Sequence, residues 1–141
     1  MRGVTPLVLF PEGQGAGRCG WLEEPVALRE LAQRLKKFLG IQRLQMVGQP
    51  ERPVRTVAIG CGAADELLDA ARLSGCDAMV LGEARFHTCL EAQAAGIGLL
   101  LPGHFASERF AVEYLAEVLA RQFPEVEVWA SRREGDPMRW E

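Results

Sequence analysis

Residues 77–108 read DAMVLGEARFHTCLEAQAAGIGLLLPGHFASE and decide the fold that we predict for this chain. Two short apolar runs within them, 78–81 and 97–101, are typical of buried strands, and a helix-like segment follows each run. Strands that alternate with helices predict an α/β fold, with a mixed, largely parallel sheet flanked by helices. Ligands of such sheets bind at the carboxyl ends of the strands, so this stretch also predicts where a functional site lies.

The segments on either side continue the same alternation. Residues 1–16 are rich in Gly and Pro and poor in periodicity, so we expect a poorly defined N-terminal segment there. A single α/β domain should follow over 17–141. The periodicity predicts helices over 25–39, 65–73, 85–95 and 106–122, and further strands over 44–47, 54–60 and 125–130.

Composition and charge argue against several classes of function. A net charge of -3 over 141 residues provides no basic face for nucleic acid. No run approaches the roughly 18 apolar residues that a membrane helix needs. The four cysteines form no C-x-x-C pair and no zinc-like spacing, which favours reduced thiols and a cytoplasmic location. We therefore expect a cytoplasmic protein that binds neither membranes nor nucleic acid.

His104 and Glu108 are the first candidate site residues. His104 follows the buried run 97–101, and Glu108 lies about one turn into the next helix, so both side chains can face the same space. An imidazole and a carboxylate are ligands that zinc, manganese and iron sites use. The alternative is that Glu108 only interacts favourably with the helix dipole. Two ligands are also fewer than the three or four of a tight site.

A second cluster follows the run 78–81. Glu83, Arg85 and His87 place a carboxylate, a cation and an imidazole at one strand end. This set suits phosphate orientation or general acid and base catalysis, with His87 as the candidate catalytic residue. The alternative is that His87 packs under the loop with one hydrogen bond, and that Glu83 pairs only with Arg85.

Gly60 and Gly62 form a third candidate, in the turn Gly60-Cys61-Gly62 after the strand 54–60. Small residues at such a turn allow the backbone to approach a neighbouring element or a ligand closely. One hypothesis is therefore a small-ligand domain that uses this turn as an anion nest.

Several segments together resemble one known family: GRCGWLEEPVALRELAQRLKKFLG, VGQPERPVRTVAIGCGAADELLDAA, CDAMVLGEARFHTCLEA, IGLLLPGHFASERFAVEYLAEVL and the closing GDPMRW. In order and spacing they are similar to the C-terminal part of the NGG-one-interacting-factor-three-like proteins, often described as type 2 GTP cyclohydrolase I homologues. The similarity covers roughly residues 17–141, and its most specific pieces are 82–87 and 103–108.

The resemblance implies a two-lobed architecture in which a pair of divalent metal ions lies between the lobes. His104 and Glu108 match the family's C-terminal metal ligands, and the Glu is able to bridge both ions. His87 matches a position near the cleft, beside the metals and not bound to them. The family's toroidal hexamer implies a homo-oligomer. The metal's identity (zinc, manganese or iron) stays open.

One departure from the family is as informative as the match. The family's N-terminal lobe supplies a His-His pair and an Asp as further ligands, and this sequence has no counterpart. We therefore expect the C-terminal lobe only, as a truncated gene product, an expressed fragment or one half of a split protein. The sequence then predicts a metal-dependent hydrolase of the type 2 cyclohydrolase kind that is incomplete and inactive alone, unless a separate chain supplies the N-terminal lobe. The alternative is a non-catalytic regulatory or assembly module that acts through oligomerisation or partner binding.

Overall fold

The computed structural model describes residues 1–139, so Trp140 of the GDPMRW segment lies outside the described residues. The chain forms an α/β fold of eight strands and four α-helices within these residues. In order they are β1 (Arg2–Thr5), β2 (Val8–Leu9), β3 (Gly15–Ala16), β4 (Arg18–Ala27), α1 (Leu28–Leu39), β5 (Gln45–Val47), β6 (Pro53–Ile59), a short 3-10 helix (Asp65–Leu67), α2 (Leu68–Leu73), β7 (Ala78–Val80), α3 (Phe86–Ala95), β8 (Gly98–Leu101) and α4 (His104–Gln122).

Six strands form the main sheet, in the order β1-β4-β6-β7-β8-β5, and β2 and β3 form a separate two-stranded ribbon. The pairs β6-β7 and β7-β8 are parallel. The pairs β1-β4, β4-β6 and β5-β8 are antiparallel. The mixed α/β class predicted from the sequence is thus confirmed. The sheet is not largely parallel as expected, because three of its five strand pairs are antiparallel and the parallel pairing is confined to β6, β7 and β8.

Two apolar clusters cover the two faces of this sheet, because neighbouring residues of a strand point to opposite faces. Ala58, Met79 and Leu99 belong to the cluster that includes residues of α2 and α3. Val57, Val80 and Leu100 belong to the other cluster, which includes Leu28 and Ala32 of α1. The continuous apolar runs of β7 and β8 are therefore explained by burial on both faces.

The three parallel strands end at the same edge of the sheet, and the loops that follow them are joined by hydrogen bonds. The Gly82 amide donates to the Gly62 carbonyl at 2.8 Å, and the Gly103 amide donates to the Gly82 carbonyl at 2.9 Å. The loops after β6, β7 and β8 therefore form one connected surface, as the sequence predicted.

The structure corrects two predicted elements. The helix predicted over 25–39 begins at Leu28, because Pro25 lies in β4, which pairs with both β1 and β6. Pro25 is tolerated there because the register of β4 against β6 shifts between Trp21 and Val26. The strand predicted over 125–130 does not form, and these residues contain no helix or strand.

The N-terminal segment and α4 also differ from expectation. Residues 1–16 contain three short strands, and Leu7 is buried in the core. The helix α4 begins at His104, two residues before the predicted start, and most of its apolar side chains are exposed. In the described part of the chain, no helix has both the length and the hydropathy to cross a membrane.

Candidate functional site

His104 and Glu108 lie on one face of α4, at the carboxyl ends of the parallel strands. His104 is the first residue of the helix and Glu108 lies four residues later, a spacing that brings two side chains together. His104 Nε2 is 3.4 Å from Glu108 Oε2, and about half of each side chain is exposed. The two predicted ligands therefore converge on one space that solvent reaches.

Glu83 orients the imidazole from the neighbouring loop. His104 Nδ1 lies 2.8 Å from Glu83 Oε1, and an ionised carboxylate only accepts, so Nδ1 carries the proton. The hydrogen bond to Glu83 is the largest cause that raises the pKa of His104 above its ordinary value, and the charge of Glu108 raises it further against the opposing effect of burial. In the neutral ring Nε2 then presents its lone pair towards Glu108.

This geometry suits a cation between the imidazole and the carboxylate. A lone pair on Nε2 and a carboxylate oxygen 3.4 Å apart need a shared proton or metal ion for mutual stabilisation. Ligand atoms bonded to a tetrahedral zinc ion at about 2.1 Å are about 3.4 Å apart. A histidine whose other ring nitrogen donates to a carboxylate is also the usual arrangement of metal-bound imidazole. The donor set therefore fits a divalent metal, with Glu83 as the orienting partner.

Gly62 keeps the space in front of this pair open. A Cβ atom at this position would collide with the Glu108 carboxylate and would lie 3.0 Å from His104 Nε2. The backbone of Gly62 has φ +62°, a region that side-chain-bearing residues rarely adopt. Both the conformation and the close approach therefore require glycine here.

Ser107 locks the Gly62 loop onto α4. This buried side chain accepts a hydrogen bond from the Gly62 amide at 3.0 Å and donates to the His104 carbonyl at 2.8 Å. Ser107 was not among the site residues predicted from the sequence. One sequence signal could have identified it: Ser107 is a small polar residue three positions after His104, and this spacing places both residues on the same side of a helix.

The anion-nest hypothesis for Gly60 and Gly62 is wrong, because both amides already have partners. The Gly60 amide donates to the Val80 carbonyl at 2.8 Å, and the Gly62 amide donates to Ser107. A nest needs free N–H groups that point at the anion. These glycines instead allow the close packing of the β6 loop against its neighbours.

Arg85 pairs with Asp65 and not with Glu83. Asp65 Oδ2 accepts from Arg85 Nε at 2.9 Å, from the Arg85 amide at 3.1 Å and from Thr88 Oγ1 at 2.8 Å. Burial acts to raise the pKa of Asp65, but the hydrogen bonds from Arg85 and Thr88 lower it overall. Asp65 thereby fixes the start of α3, a role that was not predicted from the sequence.

His87 is the second residue of α3 and is exposed. Its imidazole forms no hydrogen bond or ion pair with any residue in the described range 1–139. The structure therefore brings together His104, Glu108, Glu83 and Gly62, while Arg85 belongs to the Asp65 cluster and His87 faces solvent.

The described residues contribute only a pair of adjacent ligands. Among residues 1–139, no three His, Cys, Asp or Glu side chains are grouped closely enough to hold a metal ion. A groove of about 900 Å³ lies elsewhere, between α3 and the loop after β5, where it is lined by Met46, Arg52, Phe86 and Leu90. None of the candidate ligands lines that groove, so its size does not identify the site.

Comparisons with known proteins find relatives that match most of this chain. Residues 4–137 match the profile of the family described as Duf34/NIF3 (NGG1p interacting factor 3). A Streptomyces coelicolor protein named GTP cyclohydrolase 1 type 2 homolog is 34% identical, over 97% of this chain and 51% of its own length. A Halalkalibacterium halodurans protein with the same name is 30% identical, over 95% of this chain and 37% of its own length.

A solved structure agrees with these sequence matches. The crystal structure of a Bacillus cereus protein related to NIF3 superposes with a TM-score of 0.77 and 26% identity, over 90% of this chain and 36% of that one. The chain thus spans about half the length of the Streptomyces relative, and less of the other two. The match to the family profile over nearly the whole sequence leads to one conclusion: this chain belongs to the Duf34/NIF3 family.

Proposed function

We propose that this chain contributes one half of a divalent-metal site to a metal-dependent hydrolase of the GTP cyclohydrolase 1 type 2 kind. His104 and Glu108 are the proposed ligands, and Glu83 is the proposed partner that orients His104. The name that the relatives carry supports the class of reaction. The proposal further holds that the chain is catalytically incomplete alone, and that another lobe or chain completes the ligand set.

One observation carries this proposal. His104 Nε2 faces the Glu108 carboxylate at 3.4 Å, while Nδ1 is held by Glu83 at 2.8 Å. Glu83 holds Nδ1 of His104, and Gly62 leaves the space beside Nε2 open, so that together they present an ordered pair of donors. This arrangement supports a metal site better than it supports the alternative in which Glu108 only interacts favourably with the helix dipole.

Each residue of the proposed site then has its own role. A bound divalent ion supplies Lewis acidity and lowers the pKa of water. His104 and Glu108 would hold the ion. Glu83 keeps the imidazole in the tautomer that leaves Nε2 free. His87, exposed at the start of α3, remains the proposed general acid or base of the completed site.

Manganese titration followed by calorimetry tests the ligand assignment. Mn²⁺ is the suitable probe because it prefers carboxylate and imidazole to the thiols of the four free cysteines. We expect weak binding to the isolated chain and none to His104→Ala or Glu108→Ala. Glu83→Gln should weaken binding by about 10- to 100-fold, as expected for the loss of an orienting carboxylate.

His87→Ala is the matched control, because it removes the other histidine without removing any hydrogen bond. This variant should bind Mn²⁺ like the unaltered chain. Equal binding by His104→Ala and the unaltered chain would refute the assignment of the ligands. Turnover by the isolated chain that is abolished by Glu108→Ala would refute the proposal that it is incomplete.

The second candidate function is a non-catalytic assembly module, and the exposed apolar surface of α4 favours it. Tyr114, Leu115 and Val112 are 63%, 54% and 44% exposed, which is unusual for the apolar residues of a long helix. The two functions are compatible, since an assembly could bring the missing ligands to the site. Sizing of the chain in solution tests the assembly function, because a chain that stays monomeric at all concentrations would argue against it.

A further inference from the structure

The groove of about 900 Å³ beside α3 lies at one edge of the main sheet. The strand β5 is the last in the strand order, and among the described residues it pairs only with β8. Met46 of β5 lines one side of the groove, while Phe86 and Leu90 of α3 line the other. The groove therefore lies between an edge strand and a helix, and it contains none of the candidate metal ligands.

The backbone of Met46 faces outwards from this edge. The Leu100 carbonyl accepts from the Leu81 amide at 3.2 Å, so Leu100 directs its backbone groups to the β7 side. Met46 lies opposite Leu100 in the antiparallel pair, and two opposed residues either both bond across the pair or both point away from it. The Met46 N–H and C=O therefore point away from β8, and no residue among 1–139 bonds to them. An open strand edge of this kind is a template for a further strand.

The α3 side of the groove is apolar and uncovered. Phe86 and Leu90 lie four residues apart on one face of the helix, and they are 78% and 50% exposed. Val47 packs against the apolar cluster that lies on the α3 side of the sheet, so this face of β5 is turned towards the helix. Every second side chain of an added strand points to the same face. Apolar side chains at alternate positions of such a strand would therefore meet Phe86 and Leu90.

Arg52 brings a positive charge to one end of the groove. A Cβ atom on Gly96, which caps α3, would lie 3.0 Å from Arg52 Nη1, so the guanidinium rests against the end of the helix. Arg52 is only partly exposed, and it forms no ion pair within the described chain, where the adjacent Glu51 pairs with Arg29. The end of a helix offers only a partial negative charge. The guanidinium can therefore bind a carboxylate, which is the strongest partner for its planar donors.

We propose that this groove binds an extended segment of a partner protein, which adds to β5 as a strand and carries apolar and acidic side chains at alternate positions. The backbone of the segment would bond to Met46. Its apolar side chains would contact Phe86 and Leu90, and its carboxylate would bind Arg52. This inference goes beyond the proposed function, because it uses none of the residues assigned to the metal.

Selection from a displayed peptide library tests the chemistry of the partner. The probe is a library of random peptides of about ten residues, the length of a long strand. The unaltered chain should select peptides with Asp or Glu at a position that alternates with apolar residues. Arg52→Glu should replace the acidic residue of the selected peptides by Lys or Arg. Arg121→Glu is the matched control, because Arg121 also lies near the end of a helix but outside the groove, and it should select the same peptides as the unaltered chain.

Amide hydrogen exchange measured by NMR locates the selected peptide. The Met46 amide should exchange rapidly in the free chain and about tenfold or more slowly once the peptide is bound, because the peptide provides its acceptor. Met46→Pro removes this donor and should weaken the peptide by about tenfold or more. An edge strand tolerates proline where the N–H faces solvent, so the variant should keep the fold. Met46→Ala is its control, since it removes the same side chain, keeps the donor and should bind more tightly than Met46→Pro.

Three results would overturn the proposal: selected peptides that share no acidic residue, the same peptides selected by Arg52→Glu, or a Met46 amide that the bound peptide leaves unprotected. Protection of this amide that rises with the concentration of the chain alone would place a second copy on β5, and it would equally overturn the proposal. These results leave the manganese experiment unaffected, because the groove contains no candidate ligand. The two proposals therefore fail separately.

Discussion

At the scale of single residues, Gly62 links the fold to the candidate site most directly. Gly62→Ala should lower the free energy of unfolding by two effects, the positive φ and the collision of the new Cβ with the Glu108 carboxylate and His104 Nε2. The conformational effect alone is about 1 kcal/mol. We expect a larger loss, together with weaker Mn²⁺ binding, measured by denaturant unfolding and calorimetry.

Gly75→Ala separates the two effects. Gly75 has a similar φ of +67°, but a Cβ there would meet nothing within 4 Å. This variant should show only the conformational loss and should bind Mn²⁺ normally. If Gly62→Ala and Gly75→Ala lose the same stability and both retain the metal, the space in front of His104 does not depend on Gly62.

The contribution of Asp65 to the free energy of unfolding should depend on pH. Its folded pKa lies below its ordinary value of 3.8, despite burial, because Arg85 and Thr88 donate hydrogen bonds to it. A depressed folded pKa stabilises the native state above the unfolded pKa, and this stabilisation is lost as the pH falls through the folded pKa. Asp65→Asn should therefore cost about 1–3 kcal/mol at pH 7, and the difference should shrink as the pH falls below 3.8.

Asp69→Asn is the control for this pH dependence. Asp69 is 83% exposed and pairs with Arg72 three residues later at 3.3 Å, an arrangement that contributes little to stability. Its replacement should change the free energy of unfolding by less than about 0.5 kcal/mol at any pH. Acid unfolding curves that are identical for Asp65→Asn and the unaltered chain would contradict the role given to Asp65.

At the scale of elements, the periodicity of apolar residues predicted the strands and helices whose formation depends on the local sequence. The apolar runs of β6, β7 and β8 and the helices between them were found because each pattern is local. The strand β4 was missed because Pro25 favours a helix start on local grounds, whereas a register shift in the sheet accommodates it. The contact of His104 with Glu83 was not predicted, since it depends on how two separate loops pack together.

The packing of α1 on the sheet gives the prediction at this scale. Leu28 is fully buried, and its methyl groups pack so closely on Gly98 that a Cβ there would lie 2.8 Å from one of them. Leu28→Ala should lower the free energy of unfolding by about 2–5 kcal/mol, as for other buried leucines. Leu73→Ala, at a position 78% exposed on α2, should cost less than about 0.5 kcal/mol. A similar loss in both variants, measured by urea unfolding, would mean that α1 does not anchor this face.

At the scale of the whole molecule, two features face outward. The candidate site presents a pair of ligands to solvent, and α4 presents apolar side chains along much of its length. Packing in the core does not explain either feature, because the ligand pair and the exposed side chains of α4 lie outside the two buried clusters. A second molecule that covers α4 would explain the exposed surface and could approach the ligands at the same end of the helix.

We therefore expect the chain to self-associate through α4, and sedimentation equilibrium measures this directly. Leu115 and Leu119 lie four residues apart on one face of the helix and are 54% and 36% exposed, so Leu115→Glu with Leu119→Glu places two charges in that face. The unaltered chain should exceed its monomer mass of 15.5 kDa as concentration rises, and the double variant should remain at that mass. Leu73→Glu should associate like the unaltered chain, since Leu73 is on α2. Circular dichroism verifies that the double variant keeps α4. If the unaltered chain stays monomeric, the α4 surface is not a self-association surface and the assembly function loses its support.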